Sequence, residues 1–127
     1  MKPICCGDRR DAEELLAAGS DGLTIDDVNP VWLKTPAAPI VGTLMEKTTI
    51  DVEHIFAAFH PVQERVDHVI VEGTGGWLVA IRSDYFVSDL AAAMKLPVLV
   101  VAQNRLGCSG LANADILKRI LDVPLLA

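Results

Sequence analysis

Positive charge is in short supply in this chain. It has 11 Lys and Arg against 17 Asp and Glu, a formal charge of -6 and a pI near 4.9. That balance speaks against a nucleic-acid partner or an anionic membrane surface. Long apolar runs are missing too: none approaches the roughly 20 residues a spanning helix needs. No signal peptide is expected ahead of the first glycine. Cysteine is sparse and poorly spaced for metal. Cys5, Cys6 and Cys108 make an odd count, and adjacent cysteines do not form a C-x-x-C clip. Free thiols in a reducing cytoplasm are the simplest expectation. The three histidines, His54, His60 and His68, follow no metal-ligand pattern. Internal repeats and low-complexity tracts are absent.

What remains is apolar and aliphatic. Half of the 127 residues are hydrophobic but only 5% are aromatic. A chain of this length buries about two-thirds of its unfolded surface, enough for one domain's core. Abundant Val, Ile, Leu and Ala suit a parallel α/β sheet covered by helices, and residues 1–127 read as a single α/β domain. Trp32 and Trp77 read as packing side chains rather than stacking platforms.

Along the chain, strand alternates with helix, the pattern of right-handed βαβ crossovers. Ile4 to Cys6 reads as the end of a strand. Arg9 to Ala18 is a short helix stopped by Gly19. Asp21 to Pro39 is turn-rich, a surface excursion from which Val31, Trp32 and Leu33 pack down. Asp51 caps a helix through Ile55, Phe56 and Phe59, which Pro61 should end or kink. Val66 to Val71 reads as a strand. A helix from Asp84 or Ser88 runs through Leu90 to Met94. Pro97 to Gln103 reads as a strand buried on both faces, and Ser109 to Leu121 as a last helix.

The stretch VIVEGTGGWLV, Val69 to Val79, carries the strongest chemical signal. Glu72 ends an apolar run and is followed by three glycines in four residues, Gly73, Thr74, Gly75 and Gly76. In open α/β sheets ligands gather at the carboxyl ends of strands. Glycines there let backbone N–H groups approach a ligand as an anion nest. A carboxylate beside the nest repels a bare anion, but suits a Mg²⁺ ion shared with phosphate oxygens. The alternative is a tight turn with a solvated glutamate. Two weaker clusters accompany it. Lys2 and Cys6 stand four residues apart at a strand end, where the alternative is a frayed terminus. RLGCSG, Arg105 to Gly110, precedes the last helix, whose free N–H groups attract anions, or is an ordinary turn.

Together, KPICCG, Asp11-Ala12, NPVWLKTPAAP, VIVEGTGGWLV, SDYFVSDLAAAMKLPVLVVAQ and RLGC occur in the order and spacing of the dethiobiotin synthetases. The chain resembles that family over nearly its whole length. The resemblance implies a doubly wound, mostly parallel P-loop NTPase-like sheet, usually in a cytoplasmic homodimer. It also implies an ATP-dependent ligase of biotin biosynthesis. Such an enzyme closes a ureido ring on 7,8-diaminononanoate with CO₂, ATP and Mg²⁺ through a phosphorylated carbamate.

Carried over by position, Lys2 is the catalytic lysine, neutralising charge on the carbamate and the moving phosphoryl group. Asp11 and Glu72 are the metal positions, and Gly73, Thr74 and Gly75 the nucleotide-contacting loop. Cys6 stands where a substrate-touching Ser or Thr is usual, and a thiol is a weaker donor. Gly107, Cys108 and Ser109 match the helix start that receives the substrate carboxylate from the partner subunit. Gly110 replaces a common Asn, and Ala80 a usual Pro. The family's G-x-x-x-x-G-K-[ST] loop has no counterpart, since no Gly-Lys pair occurs in the chain. The chain thus corresponds to the middle of the enzyme: a fragment, one half of a split enzyme, or a non-catalytic homologue that keeps the dimer and substrate surface. A more distant expectation is another ATPase of the same superclass, of the cobyrinate synthase kind.

Overall fold

Strand β1, Ile4–Cys6, runs parallel to strand β2, Val31–Leu33, in the computed structural model, which describes residues 1–19 and 22–101. Ile4 pairs with Val31, Cys5 with Trp32 and Cys6 with Leu33. Parallel strands need a long crossover. Helices α1, Arg10–Ala18, and α2, Ile25–Val28, lie within this one. Asp11 and Glu13 sit in the first turn of α1, where the helix dipole favours negative charge, and Ala12 is its buried contact. The chain divides into two compact units, Met1–Ala93 and Met94–Ala127.

The stretch expected to be a surface excursion holds α2 and β2 instead. A capping box starts α2: Thr24 N–H donates to Asp27 Oδ2 at 2.7 Å, and Asp27 N–H donates to Thr24 Oγ1 at 3.2 Å. Strand alternation turns Leu33 into the core and leaves Trp32 exposed, its Nε1 donating to Gly7 O at 2.8 Å. Helix α3, Pro39–Glu46, follows, with Pro39 at its first position, where a missing N–H costs nothing.

Helix α4, Val52–Arg65, starts at Asp51, whose carboxylate accepts from Glu53 N at 3.0 Å. It runs through Pro61 rather than ending there. The ring removes one backbone bond, but Val62 beyond it is buried and holds the last turn on the core. Ile55 and Phe59, four apart on one helix face, are also buried, alongside Ile4, Val28, Leu33 and Ile81. Strands β3, Ala80–Arg82, and β4, Tyr85–Phe86, form an antiparallel hairpin that leads into α5, Val87–Met94. Phe86 N donates to Asp89 Oδ2 at 2.7 Å, tying the hairpin to the helix start.

The strand expected over Val66 to Val71 does not form a ladder, and Ile70 is exposed. Two bonds remain of it. Met1 N donates to Ile70 O at 2.7 Å, and Glu72 N donates to Met1 O at 2.9 Å. This is the parallel pairing pattern at a single position, and it sets Glu72 beside Lys2.

In the second unit, Lys95 takes a left-handed φ of +55°. Residues 97–101 have no ladder partner among the described residues, and Leu99 and Val101 are exposed. Among the described residues, the doubly buried strand expected over Pro97 to Gln103 is not formed across its part at residues 97–101. The helix expected over Ser109 to Leu121 lies outside the described residues. Among the described residues no helix is long and apolar enough to cross a membrane. The fold class is α/β, a parallel pair with flanking helices, in keeping with a P-loop NTPase-like protein.

Candidate functional site

Lys2 precedes β1, Asp11 stands in the first turn of α1, and Glu72 leads the glycine loop. The fold brings all three to one point. Lys2 Nζ lies 2.7 Å from Glu72 Oε1, 3.3 Å from Asp11 Oδ2 and 3.4 Å from Gly73 O. The lysine side chain is 9% exposed, whereas Asp11 and Glu72 are 64% and 52% exposed. Burial alone would disfavour the ammonium. The hydrogen bond and charge of Glu72, then those of Asp11, outweigh it and hold Lys2 above an ordinary lysine value. Lys2 is therefore charged throughout the neutral range.

The loop is shaped by its glycines. Gly75 has a φ of +66°, and a Cβ there would lie 3.0 Å from Val79 Cγ2. Thr74 Oγ1 donates to Ile4 O, fastening the loop to β1. Among the described residues, none of the N–H groups of Gly73, Thr74 and Gly75 donates to a backbone carbonyl, as a nest for an anion requires. Gly75→Ala should lower stability by about 1–2 kcal/mol, since left-handed backbone penalises a Cβ, with a tight contact added. Urea unfolding checks this, with Gly76→Ala, which meets only a contact at 4.0 Å, as the milder comparison.

A cleft of about 500 Å³ is lined by Lys2, Cys6, Asp11, Thr74 and Gly75 among others. Burial raises the Cys6 thiol above its ordinary value, so it offers a neutral S–H. A second cleft of about 420 Å³, by Trp32, Glu46 and His54, contains none of the expected site residues. Among the described residues no three His, Cys, Asp or Glu cluster as a metal cage. Asp11 and Glu72 meet at the Lys2 ammonium, and both are more than half exposed. Gly107, Cys108 and Ser109 lie outside the described residues.

One residue escaped the sequence reading. Asn29 is completely buried, and its side chain bonds to Lys2, Val31 and Arg9. The Asn-Pro pair in DVNP was the available signal, but Asn-Pro also starts ordinary turns.

A parallel strand pair with flanking helices, a lysine between two carboxylates and a glycine loop is in keeping with the P-loop NTPase class. Comparison with known proteins agrees. The family described as AAA domain matches residues 1–123. An ATP-dependent dethiobiotin synthetase BioD from Akkermansia muciniphila is 44% identical over 107 residues, covering 84% of this chain and 50% of that protein. A protein of the same name from Aromatoleum aromaticum is 40% identical over 116 residues, covering 85% and 52%. One from Endomicrobium trichonymphae is 36% identical over 111 residues, covering 84% and 51%. The chain belongs to this AAA-domain family. It spans about half the length of the curated relatives it matches.

Proposed function

We propose that this chain supplies the lysine and carboxylate part of an ATP-dependent ligase site that closes a ureido ring on 7,8-diaminononanoate with CO₂. The observation that carries the proposal is the buried Lys2 ammonium, which bonds to Glu72 and Asp11 and lines the cleft. One amine adds to CO₂ and loses a proton, giving a carbamate. The γ-phosphoryl group of ATP passes to a carbamate oxygen and ADP leaves. The neighbouring amine attacks the carbonyl carbon, phosphate departs, and the second proton is released to solvent.

Lys2 donates hydrogen bonds to the carbamate and the phosphoryl oxygens as their charge shifts. Asp11 and Glu72 would hold Mg²⁺, which supplies neutralising charge to the phosphates when bound. Residues 73–75 offer N–H groups to the same oxygens, and Cys6 touches the diamine. Gly107, Cys108 and Ser109 receive the substrate carboxylate from a partner subunit in a cytoplasmic homodimer.

The second reading is a split-subunit or non-catalytic homologue that keeps the dimer and substrate surface but not ATP hydrolysis. Calorimetry with Mg-ATP and with the diamine, together with mass-spectrometric detection of product, separates the two. Turnover that Glu72→Gln abolishes supports the ligase. Diamine binding without ATP hydrolysis supports the second reading. No binding of either compound overturns both.

A further inference from the structure

The lysine that carries the proposed chemistry stands outside the β1 ladder, one residue before Pro3, which has no N–H to give. Its backbone is instead held from a distant segment. Lys2 N donates to Val28 O at 2.8 Å. Asn29 Nδ2 donates to Lys2 O at 2.8 Å. Both main-chain groups of Lys2 are thus engaged by two successive residues at the end of α2. Asn29 Nδ2 gives its other proton to Val31 O at 2.9 Å, and Asn29 Oδ1 accepts from Arg9 Nε at 2.8 Å. Arg9 Nη2 in turn donates to Asn29 O and to Asp26 Oδ1, both at 2.7 Å.

We propose that Asn29 is a positioning residue for Lys2: its buried amide fixes the lysine main chain and so aims the ammonium at Glu72 and Asp11. This rests on the reading of Lys2 as the charge-neutralising group of the site. The chemistry demands an amide. Two donors meet two carbonyl oxygens, and one acceptor meets a guanidinium. A flipped amide would set its oxygen against both carbonyls and its NH₂ against Arg9. Aspartate, nearly the same shape, would place a carboxylate oxygen against the same carbonyls. Asn29 is 0% exposed, so no water replaces a lost bond without rearrangement. Lys2 has a long, flexible side chain. Its head group returns to one place only if its Cα does.

The test reads Lys2 directly in the 127-residue chain. Nitrogen-detected NMR at neutral pH follows the Lys2 ammonium, assigned by its disappearance in Lys2→Met, in the wild type, Asn29→Ala and Arg9→Gln. In the wild type the ammonium signal should be sharp. In both variants the backbone amide spectrum should stay dispersed while the Lys2 signal broadens and moves to the position of a solvent-exposed lysine. A merely structural asparagine would lower stability and leave the Lys2 signal unchanged in the folded protein, which overturns the proposal. Should Asn29→Ala not fold, Arg9→Gln decides alike, because it frees the amide without emptying its place. Mg-ATP binding by the wild type is measured separately. Failure of that binding with a variant-sensitive Lys2 sinks the ligase reading and keeps the clamp. Binding with a Lys2 indifferent to both variants does the reverse.

Discussion

Lys2→Met is expected, on the proposed ligase reading, to slow phosphoryl transfer to the carbamate by about 10²–10³-fold, the usual cost of removing one preorganised donor from developing negative charge. Methionine keeps the length of the stem and removes only the ammonium. The loss should fall on kcat more than on KM, because the charge Lys2 meets grows in the transition state. Stability should change little. Asp11 and Glu72 are more than half exposed, so water takes over their solvation when the ammonium goes, and the methionine side chain fills the place of the lysine stem. Steady-state kinetics beside thermal unfolding checks both halves. Equal losses of activity and stability would make Lys2 a structural residue.

The sign of the pH effect follows from the same contacts. Lys2 titrates above its ordinary value because Glu72 and Asp11 outweigh the opposing effect of burial. Its contribution to stability is therefore complete at neutral pH and is lost only as pH rises through that raised value.

Phe59→Ala is expected to cost about 3–5 kcal/mol of folding free energy, the range for truncating a buried aromatic ring. Phe59 is 1% exposed and lies edge-on to Phe56 with ring centroids 6.5 Å apart. The lost contacts lie on α4, the longest helix among the described residues. Against a total of roughly 5–15 kcal/mol for a domain, that is a large share of the stability. Urea unfolding measures it, with Leu44→Ala on the exposed side of α3 as the comparison. That change should stay within about 0.5 kcal/mol. A similar small effect at Phe59 would mean that the core does not close around α4.

Much of the site could be read from residues with strong local demands. The cap at Asp51 and the stop of α1 after Ala18 depend only on neighbouring backbone groups. The glycine loop announced itself because Gly75 needs a backbone angle that other residues resist. The junction of Lys2 with Glu72 spans 70 residues, and only the family resemblance joined them in advance. Strands β2, β3 and β4 were missed because runs of two or three residues are too short to display an alternation. Pro61 misled because its local cost is one hydrogen bond, and burial of Val62 outweighs it.

By itself, then, the sequence determined the α/β class, helices α1, α4 and α5 apart from their ends, and the chemical kinds of the site residues. Those follow from periodicity, caps and glycine, all of which act within a few residues. Only the tertiary structure decided which apolar runs became strands, since residues 66–71 and 97–101 have strand composition but no ladder partners among the described residues. It alone revealed Asn29 as well. A buried amide acquires meaning from its partners, and those at Lys2 and Arg9 lie 27 and 20 residues away along the chain.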